Sequence, residues 1–423
     1  MKIAVFGAGI SGLSIAQRLK QLGFEAVVYE KDKQIGGLAK TKIVDGYVYD
    51  IHGGHIFNSK NPEVVNWVFS FLPKSKWKLN KRNAKIFFDG AIVSYPFELA
   101  LGELDKDKAI SYALDLITSR QGKEPTNFKD WLVWNFGKGI ANAYMLPYNK
   151  KIWAYPLEKM GTKWIRGKMP LPSNEFILKS LINNNHDEKE MVHSTFYYPL
   201  KNGIQTMINA IAKGLTILTE TPVTSCEQLK NKKWLINGKD IYDLVINTMP
   251  LPELAQVLKM PPSIKKAVLD LKYNSLTTVL FSCPKTDISW LYIPGEKYPM
   301  HRVGYQSALT PYAVPDKKQG SGAFEIIGKK FAVKPDIIKL LPKELKAKKI
   351  LASAHTKYAY VVHDKNYEPN MKKINTYFDK VANFYLLGRW GRWNYKNMDL
   401  CIKDSLELAQ VIKKKYADRK NKA

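Results

Sequence analysis

Cysteine is scarce in this chain: Cys226, Cys283 and Cys401 stand far apart among 423 residues, with no C-x-x-C pair and no histidine cluster beside them. That excludes a cysteine-built metal site and fits a reduced, cytoplasmic setting, with small buried hydrophobes as the bland reading of all three. No metal ligand set is expected elsewhere. Long hydrophobic runs are missing as well, none reaching the roughly 18 residues of a membrane span, which excludes stable membrane insertion. The start, MKIAVFGAGISG, lacks a basic n-region and runs straight into a glycine turn, so it reads as a first strand rather than a signal peptide. Acidic residues are outnumbered, 38 against 66 Lys and Arg, for a net charge of +28. Such an excess attracts polyanions, from nucleic acid and acidic headgroups to nucleotide diphosphates. It also fits a lysine bias spread over solvated faces, because only the tail KKKYADRKNKA is dense enough to form a patch. Zinc-finger spacing, a basic zipper and RNP-type aromatics are all absent, so no nucleic-acid partner is expected. Internal repeats are absent too, and the tail is expected to fray.

What is present is a 45% apolar chain long enough to bury a large core and divide into two or three lobes. Its most strongly patterned unit is KIAVFGAGISGLSIAQRLKQLGFEAVVYEKD. Residues 2–6 read as a strand, Gly7-Ala8-Gly9-Ile10-Ser11-Gly12 as a glycine turn, 13–21 as an amphipathic helix, and AVVYE as a second strand ending at Glu30. Gly7 suits the tight turn, Gly9 the approach of a pyrophosphate and Gly12 close helix–strand packing. The helix N-terminus, with Ser11 in its first turn, offers free N–H groups to phosphate, and Glu30 can accept from a ribose hydroxyl. A G-x-G-x-x-G alone is weak, but strand, turn, helix, strand and acidic end together define a dinucleotide site.

Lys31 follows, then KDKQIGGLAKT, where the Gly36-Gly37 pair and Leu38 resemble the extended dinucleotide motif of glutathione-reductase-type flavoproteins. FAD is therefore the expected cofactor. The same resemblance implies that the hairpin carrying "YDIHGGHIF", with Gly53, Gly54 and His55, lies against the isoalloxazine ring; His52 lacks such support. Further along, 105–118 and 126–145 read as helices, with Thr126 a candidate cap, and 195–215 as strand, glycine turn and helix. Asn237-Gly238 reads as a hairpin turn, 271–362 as strand-rich, and 383–412 as strand, loop and closing helix.

At this point the chain resembles the UDP-galactopyranose mutase family, most closely its eukaryotic-type branch. "DIHGGHIF" is similar to the family's flavin loop, "SYPFE" to its Tyr-Pro-Phe-Gln nucleotide loop, and "MLPYNKKIWAYPLEKM" to its Pro-Tyr-Asn, Trp and Met run. "LLGRWGRWNYKNMD" is similar to its C-terminal segment. The resemblance implies a reduced FAD whose N5 attacks the anomeric carbon of a nucleotide sugar. The diphosphate leaves, the ring opens through an iminium and recloses on another hydroxyl, and pyranose and furanose interconvert for surface glycan synthesis. NADPH or NADH would be the reductant. A homo-oligomer is possible.

The same resemblance carries roles onto particular residues. His55 would influence the flavin, and Arg302 would hold the diphosphate with the fork that arginine offers. The family's second arginine falls in "KWIRGKMPLP", where Lys168 stands in its place and Arg166 lies two residues earlier. Tyr360 and Tyr395 would donate to the diphosphate, and Asn397 would complete the catalytic set. Gly388, Arg389 and Asp399 would contact the flavin. Tyr95 and Phe97 offer a platform for the base, with Tyr148, Trp153 and Tyr155 as a lid or stacking wall and Asn149 as a further substrate-binding residue. Glu98 replaces the family's glutamine. A carboxylate only accepts, which suits guanine's adjacent N–H donors better than uracil's mixed edge. A GDP-sugar therefore stands beside a UDP-sugar.

These readings converge on an α/β fold: a Rossmann-like FAD-binding domain (1–80, 195–265 and 375–423), a helical nucleotide or lid lobe (105–194) and an antiparallel β-sheet lobe (81–104 and 266–374). The alternative function is an FAD-dependent oxidoreductase of the amine oxidase or protoporphyrinogen oxidase type, which shares the dinucleotide unit.

Overall fold

Residues KIAVF are apolar at nearly every position rather than every second one, the pattern of a parallel strand covered on both faces. Strand Lys2–Phe6 is accordingly buried from Ile3 onward. In the computed structural model, which describes residues 1–165, 169, 171–183 and 194–420, it is the centre of a five-stranded parallel sheet. Leu244–Asn247 and Phe384–Leu386 follow on one side, Glu25–Tyr29 and Thr216–Leu218 on the other. One face is covered by helix Ile10–Gln21, which packs against the closing helix Met398–Lys420.

The first helix begins at Ile10, three residues before the expected 13, because Gly12 lies in its first turn. A Cβ on Gly12 would stand 1.9 Å from the Gly7 carbonyl oxygen, so only glycine lets helix and strand approach this far. The closing helix continues to Lys420, so the tail is helical from Lys413 to Lys420, where fraying was expected, and its last three residues lie outside the described residues.

A seven-stranded sheet lies across the molecule, built on the long strands Lys272–Pro284, Gln319–Ile327 and Lys349–Val362. It continues through Arg302–Gly304, Trp290–Tyr292, Ala84–Phe88 and Ala91–Ser94. The expected antiparallel sheet is in fact mixed, since Trp290–Tyr292 runs parallel to Ala84–Phe88. This pairing brings residues about 200 positions apart in the chain onto one wall.

The helical lobe contains Lys106–Ile117, Phe128–Ile140, Leu146–Trp153 and Asn174–Asn183. Asn127, not Thr126, caps the second helix, its side-chain oxygen accepting from the Asp130 N–H at 3.0 Å. The expected helix 126–145 is broken at Gly137, where φ is 71°, and continues through one π turn, Ala141–Met145, into Leu146–Trp153. The Asn237-Gly238 hairpin has positive φ at both residues, 52° and 70°, as a type I′ turn requires.

Candidate active site

Between the parallel sheet and the mixed sheet lies a cavity of about 460 Å³. Its floor is the loop that leaves strand Tyr47–Asp50: His52, Gly53, Gly54 and His55 all line it. The loop is shaped from beneath by Asp50, a buried carboxylate that takes the Thr41 hydroxyl at 2.6 Å and the His55 backbone N–H. Burial pushes the Asp50 carboxyl up to about 6.

Both loop histidines are neutral at physiological pH. Burial lowers His55 to about 4, helped by the Arg389 and Arg302 charges. His55 Nδ1–H donates to the Gly53 carbonyl at 2.7 Å, which leaves Nε2 as an acceptor. His52, without support in the sequence, also belongs to the cavity, and its Nδ1 meets the Gly37 carbonyl at 3.1 Å. That contact ties the glycine–histidine loop to the second glycine pair.

Arg302, Tyr360, Arg389 and Tyr395 line the same cavity. The Tyr360 and Tyr395 ring centres are 5.9 Å apart, and the Arg389 guanidinium lies over both rings, at 5.5 and 4.6 Å. Asn397 and Asp399 close this side with the first turn of the final helix, whose N-terminus abuts the cavity. Burial raises the Tyr360 hydroxyl, so it stays a proton donor. Arg302 does not stand alone. Burial works against its charge, but the Glu325 carboxylate holds it firmly protonated through contacts from Nε at 3.1 Å and Nη2 at 2.8 and 2.9 Å.

Several expected site residues lie elsewhere. Lys31, expected beside the dinucleotide, pairs with Glu253 at 3.1 Å just past strand Glu25–Tyr29. Phe97, Glu98, Tyr148, Asn149 and Trp153 form a second layer behind the wall rather than the wall itself. Phe97 stacks on Tyr144 at 5.0 Å and Tyr144 on Tyr148 at 5.6 Å. Trp153 sets its edge against Tyr360 and Tyr395 and donates to Asn149 at 3.1 Å. Tyr155 reaches Asp364, not the cavity. Glu98 is 2% exposed and off the cavity wall, and burial pushes it up to about 7. Arg166 and Lys168 lie outside the described residues.

The wall has members that motif reading missed. Arg82 is buried beneath the Tyr95 ring at 5.1 Å and lines the cavity with Tyr292, Ser289 and Gln306. Tyr292 feels both the Arg302 and the Arg82 charge, which places its hydroxyl in the field of two guanidiniums. Glu325 is the other omission. An arginine in a lysine-rich stretch and a lone glutamate in an apolar strand carry little signal, although an unexplained charge inside AFEII was the one available hint.

The residues also fit a dinucleotide. Gly9 caps the first helix without a side-chain bond, leaving its N-terminal N–H groups bare beside Gly36-Gly37. A Cβ on Gly37 would stand 3.0 Å from Gly9 Cα, so the two glycine turns touch backbone to backbone. Glu30 accepts from the Ala8 and Asp32 amides at 2.9 and 3.0 Å, one per oxygen, and keeps further lone pairs. Ser11 is buried in the same turn, with Gly388 packed against its side chain. Leu38 and Ala39 carry this cradle to the cavity edge.

A parallel sheet with a bare helix N-terminus, joined by a glycine–histidine loop to a covering sheet, defines a flavoprotein-type α/β protein. The chain belongs to the flavin containing amine oxidoreductase family, whose model matches residues 10–317. Among solved structures, a reduced UDP-galactopyranose mutase superposes with a TM-score of 0.86 at 23% identity, covering 97% of this chain and 95% of that one. A putative protoporphyrinogen oxidase from Exiguobacterium sp. 255-15 gives 0.74 at 13% identity, covering 98% and 99%. These likenesses establish the fold. Curated relatives include a probable UDP-galactopyranose mutase of Klebsiella pneumoniae, 26% identical over 219 residues, half of this chain and 52% of that protein. Protoporphyrinogen oxidase 2 of Arabidopsis thaliana is 29% identical over 97 residues, 22% of this chain and 19% of that protein. The matched stretches thus span a fifth to a half of these relatives' lengths.

Proposed function

We propose that the protein is an FAD-dependent nucleotide-sugar mutase that interconverts the pyranose and furanose forms of a UDP-sugar of the galactose type. The observation that carries the reading is the convergence of Arg302, Tyr360, Arg389 and Tyr395 on the cavity that Gly53, Gly54 and His55 also line. A departing diphosphate needs fixed donors that neutralise charge without titrating, and arginines with protonated tyrosines supply them. Gly9, Gly36-Gly37, Glu30 and the first helix would hold the dinucleotide, with Gly53 and Gly54 assigned to its flavin end. Bound and reduced, the flavin would supply an electron-rich nucleophile for the anomeric carbon. Around it, Arg302 binds the diphosphate, Tyr360 and Tyr395 donate to its oxygens, and neutral His55 offers an acceptor at Nε2. Asn397 and Asp399 close the pocket toward the flavin.

Oxidation of an amine or a porphyrinogen asks for no such cationic wall, which weighs against the oxidoreductase alternative. The case for a GDP-sugar rested on Glu98. With that carboxylate buried behind Phe97 and ionising only near neutrality, UDP is the nucleotide we assign. The reductant we infer is NADPH or NADH in the cytoplasm, and the product a furanose donor for surface glycan. The deciding experiment is anaerobic incubation of dithionite-reduced protein with UDP-galactopyranose and UDP-galactofuranose, followed by chromatography. Interconversion that stops when the flavin is reoxidised is expected; no interconversion in either direction would remove the reading.

A further inference from the structure

Arg302 and Glu325 are cross-strand partners on the mixed sheet, and the pair is asymmetric in exposure: the carboxylate is 1% exposed and the guanidinium 25%. The carboxylate occupies the Nε–Nη2 edge of Arg302 through three contacts, so Nη1 is the part of the fork left to the cavity. Glu325 is fixed from two further directions. A Cβ on Gly53 would stand 3.3 Å from its Oε1, so the flavin-side loop rests directly on the carboxylate. His301 Nδ1–H donates to the Glu325 carbonyl at 3.0 Å, and its imidazole stays uncharged. Among the described residues, Arg302 is thus the one cation paired with Glu325.

A diphosphate reaching this wall meets an arginine whose charge is largely balanced and whose best bidentate edge is taken. Resting-state binding is weakened, and a group that must be held hard as it leaves and then released stays exchangeable. We propose that Glu325 is a built-in counter-anion that competes with the diphosphate of the substrate for Arg302 and so sets nucleotide affinity. It is a positioning residue, acting through the arginine. The inference rests on the nucleotide-sugar reading and adds to it a charge that nothing in the reaction itself demands.

Equilibrium titration of the oxidised holoenzyme with UDP separates this role from a merely structural one by its sign. Glu325→Gln is expected to bind UDP about tenfold tighter than wild type and to release it more slowly, whereas damage to the wall would loosen binding. Glu325→Asp keeps the charge and is expected within about threefold of wild type. If Glu325→Gln does not fold because Arg302 is left unpaired, the double variant Arg302→Met/Glu325→Met removes both charges and leaves neither stranded. Its affinity is expected to fall by less than about tenfold, since the pair presents little net charge to the ligand. Weaker binding by Glu325→Gln, or a hundredfold loss in the double variant, would overturn the proposal while leaving the nucleotide-sugar reading intact. Wild-type holoenzyme that takes up no UDP would overturn both.

Discussion

The Tyr198 hydroxyl donates to Asp50 Oδ2 at 3.0 Å, across the interface between strand Thr195–Pro199 and the hairpin that carries the glycine–histidine loop. With Thr41 on the other oxygen and the His55 N–H beside it, the carboxylate suspends the loop from below. Asp50→Asn places an NH₂ where a donor already points. One or more charge-assisted bonds are lost, each worth about 1.5–3 kcal/mol. Unfolding in urea at pH 7.5 is expected to show a loss of that size, together with lower flavin occupancy after purification. Tyr198→Phe removes one of these donors to the carboxylate and is expected to cost about 1.5–3 kcal/mol. Equal flavin content in wild type and Asp50→Asn would detach the carboxylate from the loop.

How far such features could be read ahead depended on whether their determinants were local. Gly7, Gly12 and Glu30 sit within one βαβ unit, where each residue type answers a backbone need of its immediate neighbours: Gly7 takes a positive φ, Gly12 leaves no room for a Cβ, and Glu30 accepts from the Ala8 amide. Arg82 and Glu325 reach the cavity only through sheet pairing, one by the parallel match of Ala84–Phe88 with Trp290–Tyr292, the other by its register with Arg302. No spacing along the chain encodes that. Phe97 and Trp153 stand one side-chain layer behind the cavity lining, and lining and backing positions differ by a single layer that sequence pattern does not resolve.

Glu98 makes stability depend on pH in a definite direction. Its carboxyl is raised from 4.5 to about 7 by burial, so between those values the folded state keeps a proton that the unfolded chain has lost. Stability therefore falls as pH rises through this window and levels off above it, by at most roughly 3 kcal/mol. Buried His52 and His55, lowered to about 4, act in the opposite sense, adding stability as pH rises from 4 toward 6.5. The two trends overlap, so the comparison to make is between variants. Glu98→Gln keeps the shape without the charge, and its melting temperature is expected to match wild type near pH 4.5 and exceed it increasingly up to pH 7. A constant difference across that range would mean that Glu98 is ionised throughout.

His55 sets a limit on the acid side of any activity profile. An imidazole held near 4 by burial is neutral from pH 5 upward, so its contribution is expected to be flat from pH 5 to 8 and to fail only as pH drops toward 4. Initial rates of the reduced enzyme with UDP-galactofuranose test this. An acid limb centred near 6.5 that disappears in His55→Gln would show that the ring is solvated and titrates normally.

Gly54 and Gly12 separate two reasons for a glycine. At Gly12 the obstacle is the protein itself, since a Cβ would press on the Gly7 carbonyl at 1.9 Å. Gly12→Ala must push the first helix off the sheet, at a cost of about 3 kcal/mol or more with or without cofactor. At Gly54 a Cβ meets no protein atom within 4 Å, and the residue opens onto the cavity. If backbone tolerance were the only issue, Gly54→Ala would be silent. The flavin-free variant is therefore expected to unfold within about 0.5 kcal/mol of wild type, as an open surface position allows, while its affinity for FAD falls at least tenfold because the methyl occupies the floor assigned to the ring. Normal FAD uptake by Gly54→Ala would move the isoalloxazine away from this loop, and with it the acceptor role given to His55.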